Sequence, residues 1–153
     1  MSSESARELV ILVGMQGAGK TAYCRSALGD YRRISQDEGL GTFQAVLRRL
    51  QQLLEEAVPR IVIDRTNPLP GQRRQFAQLA RARGYLVRII YFDLPRQVCQ
   101  ERIRVRAGHP TLGADKMQEA INHFLSRFEP PTDAECDELV VLHEGDWMPG
   151  PME

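Results

Sequence analysis

The sequence predicts an α/β fold, a central parallel sheet of five strands flanked by helices. Three observations point to it. Short apolar runs alternate with helical patterns throughout, the first apolar run stops at a glycine-rich turn, and Pro70 and Gly84 stand where a helix between two strands should begin and end. Parallel neighbours cannot be joined by a tight turn. Each step therefore needs a crossover, which is right-handed and places a helix on the sheet.

Leu9-Val10-Ile11-Leu12-Val13 is a continuous apolar run that ends at Gly14, the pattern of a strand buried on both faces. A helix is expected from Lys20 to Leu28 and a second strand from Tyr31 to Ser35. Phe43, Val46, Leu47, Leu50, Leu53, Leu54 and Ala57 then recur at helical spacing until Pro59 stops the run. Arg60 to Asp64 is a third strand with a carboxylate at its end, Pro70 to Gly84 a helix, and Leu86 to Phe92 a fourth strand. A helix from Pro95 to Arg106 runs into a break at Gly108-His109-Pro110. An apolar stripe from Met117 to Phe128 and a fifth strand, Leu139 to Leu142, follow.

A chain of 153 residues with 42% hydrophobic content can bury one core without disulfides or a structural metal, so residues 1–153 are expected to form a single domain. The ends, 1–6 and 144–153, are polar or rich in glycine and proline, and poor order is expected there. Cys24, Cys99 and Cys136 are odd in number and lack C-x-x-C spacing, which suggests neither a disulfide framework nor a zinc site. No apolar stretch is long enough to span a bilayer and the N-terminus lacks a secretory pattern, so a cytoplasmic protein without a membrane partner is expected.

The formal net charge of zero hides an asymmetry. From Arg60 to Arg106 there are eleven arginines against Asp64, Asp93 and Glu101, whereas from Ala107 onward two basic residues face ten acidic ones. The middle of the chain is where an anionic ligand would find attraction, although a solvated basic surface accounts equally for many of these arginines.

Gly14-Met15-Gln16-Gly17-Ala18-Gly19-Lys20-Thr21 fits G-x-x-x-x-G-K-[ST] between a predicted strand and a predicted helix, the context that gives the match meaning. Glycines let the backbone curl so that amides face inward, and the helix adds its N-terminal partial positive charge. The segment Gly14, Gln16, Gly17, Ala18 and Gly19 is thus expected to cradle the phosphates of ATP. Lys20 should reach the terminal phosphates, and the Thr21 hydroxyl should ligate Mg²⁺. The expected architecture is therefore a P-loop NTPase or kinase core.

Asp37 follows the second strand, whose end shares an edge with the phosphate loop, so its carboxylate suits a general base for an acceptor hydroxyl; it equally suits a helix cap or turn. Asp64 is the second candidate Mg²⁺ ligand; Asn67-Pro68 marks a tight connection, although the Thr66 and Asn67 side chains can reach the same edge as substrate contacts. Arg102 and Arg106 are four apart on one expected helix before the glycine-proline break. They can open a short helical lid that places guanidinium groups over the donor phosphates, or form a solvated face. Arg104 points elsewhere.

Together these residues resemble the P-loop 5′-hydroxyl polynucleotide kinases, the kinase domains of DNA and RNA end-repair enzymes and their bacterial relatives. The likeness spans Leu9 to Leu142. It rests on Gly14 to Thr21, Ser35-Gln36-Asp37, Ile63-Asp64-Arg65-Thr66-Asn67-Pro68 with Arg73, Arg102 to Arg106, and Phe128-Glu129-Pro130-Pro131. The resemblance implies ATP and Mg²⁺ as cofactors and a nucleic acid 5′ end as substrate. It makes Asp37 the base for the 5′-hydroxyl, Arg73 a contact to the substrate phosphate, and Lys20, Arg102 and Arg106 catalytic groups on the donor. Separate repair enzymes would be its partners. Leu40 and Ile103 depart from the family pattern, which has arginine and asparagine at those places.

Two other functions fit the same loop: a small-molecule kinase acting on a sugar, nucleoside or antibiotic hydroxyl, and a non-catalytic ATP-binding adaptor. No Asn-Lys-x-Asp guanine-recognition motif is present.

Overall fold

The computed structural model describes residues 6–35, 40–107 and 114–147. Its elements alternate as β1 (Glu8–Val13), α1 (Lys20–Ala27), β2 (Arg32–Ser35), α2 (Phe43–Glu55), β3 (Arg60–Asp64), α3 (Pro70–Ala82), β4 (Leu86–Asp93), α4 (Arg96–Ala107), α5 (Ala114–Arg127) and β5 (Glu138–His143), with a 3-10 turn at Asp133–Glu135 before the last strand. The five strands form one sheet in the order β2-β3-β1-β4-β5, every pair parallel. All C-terminal strand ends therefore lie on one edge. That edge receives the phosphate loop from β1 and the last carboxylate of β3.

Strand β1 lies between β3 and β4, and Leu9 to Val13 are each 0% exposed. At about 1.5–3 kcal/mol per fully buried aliphatic side chain, this short strand is a dense source of stability. The loop that leaves it is mounted on the best-anchored element of the sheet. Alternation sorts the strand residues between two cores. Leu9, Ile11, Val13, Ile34, Ile61, Ile63 and Ile89 pack with α2 and α3, whereas Val10, Leu12, Val62, Ile90 and Phe92 pack with Cys24 of α1, Cys99 and Ile103 of α4, and Phe124 of α5.

Local chemistry sets the helix ends. Thr42 caps α2 by accepting from the Ala45 amide at 3.1 Å, and Val46, Leu50, Leu53 and Leu54 form its buried stripe. The helix ends at Glu55, two residues short of the expected Ala57. Ala57 is left-handed with φ 57°, and Val58 N–H returns to Leu53 O at 3.1 Å. Pro70 starts α3 within its first turn, where its missing N–H costs nothing.

The β4–β5 connection changes faces. After α5, Glu129 N–H donates to Pro68 O at 3.0 Å, and Cys136 lies in the α2/α3 core. The segment thus descends on the α3 side before β5. Beyond β5, Asp146 accepts from His143 N–H at 2.7 Å, and the Trp147 ring meets Tyr23 of α1 edge-on at 5.2 Å. Residues 144–147 thus form a turn closed by an aromatic contact on α1. Among the described residues, no helix is long and apolar enough to cross a membrane.

Candidate nucleotide site

The phosphate loop leaves β1 at Gly14 and enters α1 at Lys20. Gly17 and Gly19 have φ of 82° and 98°, the left-handed region that glycine adopts without penalty. These two residues curl the backbone into a concave turn. Gly19 is the N-cap of α1 and no side chain caps that helix, so its first-turn N–H groups suit an anion. Gly17 is also fixed by packing. A Cβ there would stand 2.5 Å from Cys99 O and 2.9 Å from Ile103 Cγ1, because α4 lies directly on the loop.

Lys20 is almost fully buried, and its Nζ donates to Met15 O at 2.9 Å across the loop. Arg102 donates to Ala18 O at 2.9 Å, which ties α4 to the same turn. Arg104 instead pairs with Glu101 on the exposed side. The curl, the helix terminus and the Lys20 ammonium fit a polyphosphate. Gln16 adds a buried Oε1 with no protein donor.

Next to the loop, the Thr21 hydroxyl donates to Asp64 Oδ2 at 3.0 Å, and Arg33 Nε donates to the same oxygen at 2.8 Å. Thr21 and Asp64 offer adjacent hard oxygens, the kind of small donor set that Mg²⁺ completes with water and phosphate oxygens. The residues fit the ion. Among the described residues, no group of three His, Cys, Asp or Glu side chains is assembled, as a protein-enclosed transition metal would need. Cys24, in α1 near this cluster, is pushed up to about 12 by burial and then by the Asp64 charge, so it remains a neutral thiol.

The expected site residues separate into groups. Gly14, Gln16, Gly17, Ala18, Gly19, Lys20, Thr21, Asp64 and Arg102 come together at the C-terminal edge of β1 and β3. Thr66 joins them through its carbonyl, which accepts from Gly14 N–H at 3.1 Å. Asp37 and the Arg106 side chain lie outside the described residues.

Two substrate contacts expected from the sequence need correction. Arg73 is 0% exposed; its guanidinium donates to Glu135 at 2.8 Å and 3.3 Å, to Asn67 O at 2.9 Å and to Glu129 O at 2.9 Å. It staples α3 to the β3–α3 turn and to the descending segment, and has no face for a substrate phosphate. Asn67 is 1% exposed with φ 49°, and its Nδ2 donates to Leu12 O at 2.7 Å. It holds a left-handed turn against β1 rather than facing an acceptor.

Arg33 escaped the sequence reading. The only sequence signal was its parity, since it alternates with Ile34 and therefore shares the face of α1.

A family model described as an AAA domain matches residues 9–131. The chain belongs to this AAA domain family. Transcription factor bHLH140 of Arabidopsis thaliana is 30% identical over 141 residues; the match takes in 86% of this chain but spans only 15% of that protein's length. Three solved structures share the AAA-domain chain's fold at low identity. Kti12 of Chaetomium thermophilum in complex with ADP-AlF3 is 17% identical with a TM-score of 0.64, covering 90% of both chains. A gluconokinase from Sinorhizobium meliloti 1021 is 16% identical with a TM-score of 0.60, covering 90% of this chain and 83% of that one. The Mycobacterium tuberculosis APS kinase CysC in complex with AMPPNP and APS is 18% identical with a TM-score of 0.56, covering 89% and 88%. The AAA-domain chain thus has a kinase-like P-loop NTPase fold.

Proposed function

We propose that the chain transfers the γ-phosphoryl group of ATP to the 5′-hydroxyl of a DNA or RNA end. The observation that carries the phosphotransferase reading is the meeting of a polyphosphate cradle with the Thr21 and Asp64 oxygens at one sheet edge. At that edge Ser35, the last residue of β2, is the register partner of Asp64. Asp37 follows two residues later in the chain. The motif Ile63 to Pro68 and the surplus of arginines from Arg60 to Arg106 favour a polynucleotide acceptor.

In this reading the loop amides and Lys20 hold the β- and γ-phosphates, and Thr21 and Asp64 would hold Mg²⁺. An ion held there would supply positive charge that offsets the charge of the phosphates. Asp37 accepts the proton of the attacking hydroxyl. Arg102 and Arg106 stabilise charge on the transferring group, and the packing of α4 on the loop helps to keep water out.

A second reading, a small-molecule kinase, is supported by two facts. Arg73 is withdrawn from the acceptor side, and the fold is shared with a gluconokinase and an APS kinase.

The deciding experiment is transfer of labelled γ-phosphate by the purified chain to a 5′-hydroxyl oligonucleotide, a nucleoside and a sugar. Label on the oligonucleotide, blocked by prior 5′ phosphorylation, supports the first reading, and label only on the small acceptors supports the second. No label on any acceptor, with ATP bound, ends the phosphotransferase proposal. Asp37→Asn should retain ATP affinity and lose turnover by roughly 10²-fold.

A further inference from the structure

Buried polar groups without protein partners are rare in folded proteins, and each calls for an explanation, a bound water, ion or ligand among them. Several lie at the edge just described. Arg65, the residue after Asp64, has its Nε and Nη1 buried with no hydrogen-bond partner. Ser35, 2% exposed and paired in register with Asp64, has an unpartnered Oγ. The Gln16 Oε1 in the phosphate loop and the Asn67 Oδ1 in the β3–α3 turn are likewise unpartnered, as is the Arg88 Nε in β4.

Arg65 is the unusual member. Arg33, Arg73, Arg88 and Arg102 all reach a carboxylate or a carbonyl, whereas Arg65 has two shielded nitrogens that reach nothing. A desolvated guanidinium without a counter-charge is unfavourable, and an anionic ligand would relieve it.

The position suits an acceptor rather than the nucleotide. Val62 packs on the α1 and α4 side and Asp64 bonds to Thr21 of α1, while Ile61 and Ile63 pack on the α2 and α3 side. Arg65 follows Asp64, just past the C-terminal end of β3, a strand that lies between β1 with its phosphate loop and β2, whose last residue Ser35 pairs in register with Asp64. It stands in the chain beside the phosphate loop rather than within it.

We infer that Arg65 is an acceptor-side anion contact, so that the hydroxyl acceptor carries a phosphate or similar anion held by this guanidinium. The inference rests on the phosphotransferase reading and deepens it. It gives the acceptor side the cation that Arg73 does not supply. In a polynucleotide the anion is the phosphodiester after the first nucleoside; in a small metabolite it is a phosphate ester.

The test uses the full chain loaded with Mg²⁺ and a non-hydrolysable ATP analogue. Adenosine 3′-monophosphate, adenosine and ribose 5-phosphate are titrated by calorimetry. At least one phosphate ester should bind tenfold or more tightly than adenosine. Arg65→Gln should abolish that preference, Arg65→Lys should keep part of it, and the affinity for the ATP analogue should change less than twofold. Preference for adenosine 3′-monophosphate identifies a nucleic acid end, and preference for ribose 5-phosphate identifies a metabolite. Because Arg65 has no partner, the melting temperature of either variant should not fall.

A fall in melting temperature, equal binding of adenosine and both esters by the unmodified chain, or a preference that survives Arg65→Gln each overturns the inference. A parallel transfer assay separates the two proposals. Arg65-dependent binding without phosphorylation would refute the phosphotransferase reading alone. Phosphorylation with the same kcat/KM in Arg65→Gln would refute only the role of Arg65.

Discussion

Replacing Arg73 by methionine tests whether this residue belongs to the scaffold or to the substrate. The side chain is 0% exposed and engages Glu135, Asn67 O and Glu129 O through four hydrogen bonds. Methionine fills much of the volume but leaves the Glu135 carboxylate, 13% exposed, without its cation. Breaking a buried ion pair from one side costs about 3–5 kcal/mol. The two stranded carbonyls belong to the same network, so their loss is contained in that figure rather than added to it. With a urea m-value of about 2 kcal/mol/M for a domain of this size, the unfolding midpoint should fall by about 2 M. A native stability of about 5–15 kcal/mol leaves the variant folded but marginal. The assay is urea unfolding followed by circular dichroism, together with acceptor KM measured well below the new midpoint. An unchanged midpoint with a raised acceptor KM would refute the reasoning and return Arg73 to the substrate.

Gly17→Ala should destabilise the protein by at least about 2 kcal/mol, through a left-handed backbone and overpacking against Cys99 O and Ile103; an unchanged melting temperature would show that α4 does not rest on the loop. Arg33→Gln should lower the Mg²⁺ concentration needed for nucleotide binding roughly fivefold, because a partly exposed ion pair worth about 1 kcal/mol no longer competes for Asp64. A higher Mg²⁺ requirement would instead make Arg33 a support for the site. Burial pushes Cys24, Tyr31 and Tyr91 up to about 12, from ordinary values of 9.0 for the thiol and 10.0 for the phenols. Raised acids of this kind contribute stability that is complete below pH 9 and is lost as pH rises toward 12. Urea midpoints measured from pH 8 to 12 should fall across that window, and a flat profile would contradict the burial of all three.

The elements with local signatures were legible in the sequence. The apolar run of β1, the stripe of α2 and the proline that opens α3 each act within a few residues, so spacing alone located them. The phosphate loop was legible for the same reason, since curl and helix terminus are contiguous in the chain. What failed depended on contacts between distant segments. Arg73 and Glu135 are 62 residues apart, and nothing near either announces the other. At the β3–α3 turn, Asn67-Pro68 reads as a tight connection from the sequence, but the bond from the Asn67 amide to Leu12 O, 55 residues away, is not legible there. Arg33 enters the site only because β2 pairs with β3 in a register that sets Ser35 beside Asp64.

The contact between Trp147 and Tyr23 has a practical use. Trp147 is the single tryptophan of the chain, and Tyr23 lies three residues after Lys20 on the helix that begins at the loop. Its indole emission is therefore an unlabelled optical gauge of how that helix shifts as a nucleotide docks.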